Sequence, residues 1–245
     1  MDRETLANYS CKYHGSWHRI AKAIKDNEVV GKVVIKDDYI TILDDEYPER
    51  LRALRYPPWV LFYKGNLSLL NKPMIGIIGS REMGNYAASM TEMMVATLPE
   101  KYGIVSGLAK GVDGCAHACC LQMGRKTIGV IGSGLKYRYP YENEGIYLQM
   151  EKDGLILSEY PYDEGVKSYH FPWRNRIIAA LSDKIIVTSA KRRSGTMLTV
   201  NEAITLGKEV WCVPYPMDNA LGEGCNLLIQ QGAQIIVNKN DIESI

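Results

Sequence analysis

The chain reads as a doubly wound, mostly parallel α/β sheet with a short N-terminal extension, and two observations carry that reading. The first is a repeated device, an apolar strand-like run that ends in glycine and a small polar residue. Residues 74–81 read Met-Ile-Gly-Ile-Ile-Gly-Ser-Arg, residues 103–107 Gly-Ile-Val-Ser-Gly, and residues 127–134 Thr-Ile-Gly-Val-Ile-Gly-Ser-Gly. Runs that are apolar throughout suit strands covered on both faces. The second is the alternation, from residue 73 onward, of such runs with helix-length segments, the signature of βαβ units.

Taken in order, residues 1–37 form an extension that is only partly patterned. Residues 8–25 have helical spacing with mixed polarity, and residues 28–36 suit a short strand. Pro48, Pro57 and Pro58 then flank a short helix, and 60–64 is a strand closed by Gly65-Asn66. Strands follow at 74–79, 103–106, 126–131, 154–158, 184–189, 209–213 and 234–237. Between them lie helices at 84–98, 111–123, 142–152, 172–181, 195–206 and 223–231. Right-handed crossovers place such helices on both faces of one sheet. The expected organisation is the extension over 1–37 and a Rossmann-like domain over 38–245, most regular from about 40 to 238.

Composition sets the bounds. Hydrophobic residues at 46% and charged residues at 23% are ordinary for a globular chain. No apolar run approaches the roughly 18 residues of a membrane span, and the first residues lack the apolar core of a signal peptide. A cytoplasmic protein with no membrane partner is expected. Cys115 and Cys119 are one helical turn apart, but no Cys-x-x-Cys occurs, which argues against a zinc ribbon; reduced thiols and no metal are the plain expectation. The formal net charge of +1 means that any polyanion site is a local patch and not a whole-surface field.

Four constellations carry candidate chemistry. Gly79-Ser80-Arg81, with Gly84 beyond it, is a strand-to-helix turn whose free N–H groups and arginine suit a phosphate; the alternative is a surface arginine after an ordinary turn. The run is not Gly-x-Gly-x-x-Gly, so a dinucleotide fingerprint is weakly supported. In the stretch Ser106 to His117, Asp113 and His117 share a helix face; packing of the loop is favoured over catalysis, and no serine or cysteine is placed to complete a triad. In Lys167-Ser-Tyr-His-Phe-Pro-Trp-Arg-Asn-Arg176, cations alternate with aromatic rings before a helix. Rings stack on unpaired bases while Lys and Arg follow a backbone, so Arg174 and Arg176 at the helix start suit an anion. Lys191-Arg-Arg-Ser194-Gly195-Thr196 is a further basic strand end running into a helix, either an anion cradle or a solvated cap. Gly222-Glu-Gly-Cys-Asn226 reads as structural.

Together these motifs resemble the DprA/Smf family of DNA-processing proteins. The resemblance rests on Gly-Ser-Arg at 79–81, Ser-Gly-Leu-Ala-Lys-Gly-Val-Asp at 106–113 with His117, and the glycine-ended run at 127–134. It continues through Tyr139-Pro140, Ser158-Glu-Tyr-Pro161, Phe171-Pro-Trp-Arg-Asn-Arg176, Ser194-Gly-Thr196 and Gly224-Cys-Asn226, in order across about residues 40–238. It implies a Rossmann-like homodimer that binds single-stranded DNA, protects it and helps load the RecA recombinase during natural transformation, without catalysis or cofactor. It also implies a DNA pocket of Ser80, Arg81, Lys167 and Phe171, with Gly132 or Gly134 nearby. The chain departs from the family's pattern at Ser189-Ala190, where an acidic residue is usual, and at Pro214-Tyr215, where Pro-Gly is usual. Its end at Ile245 and its short extension suggest a minimal form without a winged-helix-like domain, or a divergent paralogue with a changed role.

The alternative is a nucleotide sensor or a phosphoribohydrolase of the lysine-decarboxylase-like type. Those enzymes carry Pro-Gly-Gly-x-Gly-Thr and a nearby catalytic glutamate, where this chain has Arg192-Arg-Ser-Gly-Thr and Ser189. That contrast weakens the hydrolase and leaves the sensor open, with the DNA-binding reading favoured on the ordered motifs.

Overall fold

The glycine-ended apolar runs become the central strands of a nine-stranded sheet in the computed structural model, which describes residues 1–245. The extension holds α1 (Arg3–Lys12) and α2 (Trp17–Lys25), followed by β1 (Asp38–Thr41), α3 (Glu49–Arg52) and β2 (Val60–Gly65). The regular part runs β3 (Met74–Gly79), α4 (Asn85–Thr97), β4 (Gly103–Ser106), α5 (Val112–Gln122), β5 (Thr127–Ile131), α6 (Glu144–Asp153) and β6 (Leu155–Ser158). It continues through α7 (His170–Leu181), β7 (Lys184–Ser189), α8 (Gly195–Thr205), β8 (Glu209–Cys212), α9 (Glu223–Gln230), β9 (Gln234–Ile235) and α10 (Lys239–Glu243).

The spatial order is β1-β2-β6-β5-β4-β3-β7-β8-β9, with β1 and β2 antiparallel and every other neighbouring pair parallel from β6 to β9. Strands β4 and β5 are buried along their whole length, which is why their sequences show no polar alternation. Helix α4 packs on α5, while α7 packs on α8 and on α3, so both faces are covered. The expected doubly wound α/β class is the observed one.

Three expectations differ in detail. Residues 28–36 form no strand: Asn8 Oδ1 accepts from the Val33 N–H at 3.0 Å and the Tyr9 hydroxyl donates to Glu28 O, so α1 engages this segment instead of the sheet. The sheet edge is taken by 38–41. Helix α7 starts at His170, so Pro172 is its third residue, where a missing N–H costs no intrahelical bond. The two arginines therefore fall in the second turn, away from the helix end. The last strand shrinks to two residues.

The sixteen tyrosines against two phenylalanines acquire a reason. Phenol groups pin irregular backbone: Tyr47 donates to Pro58 O at 2.8 Å, Tyr147 to Tyr139 O at 2.7 Å, and Tyr215 to Thr188 O at 2.7 Å. Each satisfies a loop or strand-end carbonyl that a phenylalanine ring would leave bare.

Between β6 and β7 the chain must return across three strands, and α7 makes that crossing over β5, β4 and β3. Its anchor is Arg176, 4% exposed, against Glu159, 3% exposed. Two parallel bonds of 2.7 and 2.9 Å join the guanidinium to the carboxylate, while Arg176 also donates to Tyr56 O at 2.9 Å and Trp173 O at 2.8 Å. The Trp173 ring lies 4.3 Å below the guanidinium carbon. A buried pair this fully bonded is held in one geometry, and removing one partner strands the other charge. We expect Glu159→Ala to lower the unfolding free energy by about 3–5 kcal/mol in urea titration. An apolar double replacement of Glu159 and Arg176 should recover most of that loss.

Candidate nucleic-acid interface

The winding β3 to β6 runs one way from β3, and β7 to β9 runs the other. The connections leaving β3 and β7 therefore part to opposite faces and open a crevice at the carboxyl ends of the strands. Two joined clefts of about 640 and 260 Å³ occupy it and share Arg81, Ala109, Tyr139, Phe171 and Arg174. The larger lies between the turn after β3 and the start of α8; the smaller lies under the loops after β4 and β5.

Phe171, at the second position of α7, forms the wall between them. The Arg81 guanidinium carbon sits 5.1 Å from the Phe171 ring centroid, and the Tyr139 ring lies 6.0 Å from it at 35°. Arg81 is exposed and has neither a carboxylate nor a hydrogen-bond partner. Below it, Arg174 is 5% exposed, donates to Val130 O at the end of β5, and keeps an unpartnered Nε. Burial pushes the Arg174 pKa down and the Asp113 attraction opposes that, yet no carboxylate reaches ion-pair distance. The guanidinium remains charged all the same. Two other cations of the crevice are neutralised locally, Lys110 by Glu142 and Lys191 by Glu82, the latter at 2.6 Å.

The glycine-rich turns do not all offer free N–H groups. In the turn after β4, the Asp113 carboxyl lies beside the N–H groups of Gly107 and Ala109, while the Ser106 hydroxyl donates to Ile77 O at 2.6 Å. Burial nevertheless pushes its carboxyl above the ordinary carboxylate range. This aspartate takes the position an anion would occupy. Gly111 turns the chain there with φ +75°, and Leu108, with φ +43°, is one of few non-glycine residues in the left-handed region. At α8 the opposite holds. Ser194 precedes the helix without capping it, and its Oγ is buried with no partner. The first N–H groups of an eleven-residue helix thus face the larger cleft uncapped, beside Gly195 and Thr196. Thr196 Oγ1 donates to Gly79 O at 2.9 Å and ties this helix start to the end of β3.

Ser80, Arg81, Gly132, Phe171, Arg174, Ser194, Gly195 and Thr196 all line this one crevice. Three expected residues do not. Arg176 is buried against Glu159 on the far side of α7, because residues 174 and 176 are about 200° apart around a helix. Gly134 faces the carbonyls of Pro161 and Tyr162 and donates its N–H to Glu164 O at 2.7 Å, so it packs the long connection. Lys167 lies in a neighbouring cleft with His14, Trp17 and Trp173, paired with the buried Glu164. Lys110 and Tyr139 join the site without having been singled out, although both stand inside quoted motifs. The two departures pack behind Ser194: Ser189 Oγ donates to Leu221 O at 2.8 Å, and the Tyr215 ring fills the space left by Gly222.

Asp113 and His117 do not form a pair. His117 is fully buried, with Nδ1 2.7 Å from Thr127 Oγ1, and that hydroxyl lies 3.1 Å from Ile104 O as its donor. The imidazole must then donate from Nδ1, leaving Nε2 bare. Burial pushes its pKa down to about 3, so it is neutral and serves packing.

A family model described as DNA recombination-mediator protein A matches residues 38–244. The DNA processing protein DprA of Streptococcus pneumoniae is 42% identical over 217 residues, covering 89% of this chain and 77% of that protein. The corresponding protein of Bacillus subtilis is 40% identical over 205 residues, covering 83% and 69%. Among solved structures, DprA from S. pneumoniae superposes with TM-score 0.82 at 40% identity, covering 92% of this chain and 79% of the other. DNA processing protein A from Helicobacter pylori, described for its single-stranded DNA binding mode, gives TM-score 0.76 at 31% identity, covering 84% and 94%.

Two tests follow from this geometry. A Cβ at Gly107 would collide with the Arg174 guanidinium, so Gly107→Ala should displace that cation and weaken anion binding in the crevice, read by sulfate or oligonucleotide titration. For His117, native and unfolded chains are both neutral above about pH 6.5. Between that pH and about 3 only the unfolded chain takes the proton, so stability falls with falling pH, by up to about 1.4 kcal/mol per unit. Urea titrations from neutral to mildly acidic pH should show a shallower acid loss in His117→Asn; an identical slope would show that another group governs it.

Proposed function

Because this chain belongs to the DNA recombination-mediator protein A family, matched over residues 38–244, we propose that it binds single-stranded DNA along the crevice between β3 and β7. The observation that carries the reading is Arg81 stacked on Phe171 above the buried, unpaired Arg174. Two cations without local carboxylates sit beside an aromatic face and an uncapped helix start. Phosphates take the guanidinium groups and the N–H groups of Gly195 and Thr196, with the Ser194 hydroxyl as a further donor. An unpaired base stacks against Phe171 and Tyr139, which selects single strands, since bases in a duplex present their faces only to each other. The likeness to the H. pylori protein, whose structure is described for single-stranded DNA binding, supports the ligand class.

On this reading the bound strand is held by contacts that require no covalent change, and the protein serves as a carrier. On the reading that the resemblance implies, it works as a homodimer that protects incoming DNA and passes it to a RecA-type recombinase during DNA uptake. No helix is long and apolar enough to cross a membrane. Ser80 supports the Arg81 turn by accepting from the Glu82 N–H at 3.1 Å, and Gly132 keeps the cleft floor open beneath Phe171. Lys167 reaches a strand only by leaving Glu164, and so contributes less than Arg81.

Equilibrium binding of a fluorescent oligonucleotide across a salt series tests the reading. Arg81→Ala should weaken binding and reduce the log–log salt slope by about 0.7, one phosphate's worth. Phe171→Ala should cost about 1–3 kcal/mol with the slope unchanged. Wild-type affinity in both variants would place the DNA elsewhere, and equal competition by a nucleoside monophosphate would favour a nucleotide sensor.

A further inference from the structure

Away from the crevice, α4 and α5 bring Glu92, Cys115 and Cys119 together, with one carboxylate oxygen and both sulfurs within 4.8 Å of one another. The two cysteines are one turn apart on α5, so their sulfurs lie above one another on one face. Helix α4 packs beside that helix and supplies Glu92 from its middle. Cys119 is buried, Cys115 half-buried and Glu92 exposed, so the cluster has a protein wall and an open side. None of the three lines either cleft of the DNA site.

We propose that this cluster binds a thiophilic divalent cation, Zn²⁺ foremost, through two thiolates and one carboxylate with water completing the tetrahedron. Thiolate donors favour Zn²⁺ over Mg²⁺ or Ca²⁺, which take oxygen ligands. Bond lengths of about 2.3 Å to sulfur and 2.0–2.2 Å to oxygen put tetrahedral ligands roughly 3.5–3.8 Å apart. The donors here need to close by only about an ångström, which rotation about side-chain bonds supplies. The cation takes the place of both thiol protons, so binding releases two protons and changes no oxidation state. Helix α4 follows the Ser80–Gly84 turn and α5 follows the Gly107–Gly111 turn. An ion here therefore braces the two helices that carry crevice-lining turns.

The absence of Cys-x-x-Cys hides such a site in the sequence, because its third ligand lies on another helix. Titration of the reduced protein with Cd²⁺ should give the ultraviolet thiolate-to-cadmium charge-transfer band, saturating at one equivalent, with Zn²⁺ displacing it. Cys115→Ser should abolish the band. Glu92→Gln should keep it but weaken Zn²⁺ at least about tenfold, since the loss of even an outer-shell partner costs about 10–100-fold. Cys11→Ser, at the other partly accessible thiol, should leave binding unchanged. Both ligand variants change partly accessible side chains, and their metal-free melting curves report whether folding is preserved. Zn²⁺ should also protect Cys115 and Cys119 together from alkylation in the wild-type chain, mapped by peptide mass spectrometry. No band at one equivalent, a band that survives Cys115→Ser, or alkylation unaffected by Zn²⁺ would overturn the proposal.

Discussion

The buried pairing of Arg176 with Glu159 is the constraint on which the rest of this molecule depends. The chain finishes one half of the sheet at β6 and has to begin the other beside β3, so a single helix must cross three strands. Burial alone would let that helix slide or rotate, since its apolar residues Ile177–Leu181 contact the sheet without directional bonds. The fork of two bonds to Glu159, with the carbonyls of Tyr56 and Trp173 taking two further donors, sets its rotation. Desolvating both charges is costly, and the return is a single register. Phe171 and Arg174 face the crevice because Arg176 faces away from it.

The chain's near-neutral charge and its proposed polyanion ligand are reconciled at this scale. Most cations are matched by nearby carboxylates, as Lys110 is by Glu142, Lys191 by Glu82 and Lys184 by Glu209. What is unusual in the crevice is a pair of arginines left unmatched, one exposed over an aromatic ring and one buried with an idle donor. A field confined to a cleft is screened less than an exposed one and attracts phosphate without making the whole surface sticky. Asp113 fills the glycine turn after β4, and the start of α8 is the open anion position.

Much of the architecture was legible because it depends on local chemistry. Continuous apolar runs announced the buried strands, glycines their ends, and the core elements from 74 to 230 fall within two residues of expectation. The extension was harder, because residues 28–36 have strand-like composition but are engaged by α1 before they can pair. Within Lys167–Arg176 the residue types were right for an anion site while their directions were not readable. One helical residue more or less turns a side chain by about 100°, and α7 begins two residues earlier than Pro172 suggested.

By itself the sequence determined the fold class, the family and the segments that meet at the crevice, since period, turn chemistry and ordered motifs are properties of consecutive residues. Only the tertiary structure decided which cations remain available. Arg174 and Arg176 are two positions apart and chemically identical, yet one lines the crevice with no carboxylate partner and the other has a partner at each of its three nitrogens. Their difference arises from Glu159 and the glycine turn at Gly107, which are distant in sequence and meet them only when the sheet is assembled. The charge that a ligand feels is what remains after such long-range partners have been satisfied, and no local pattern records it.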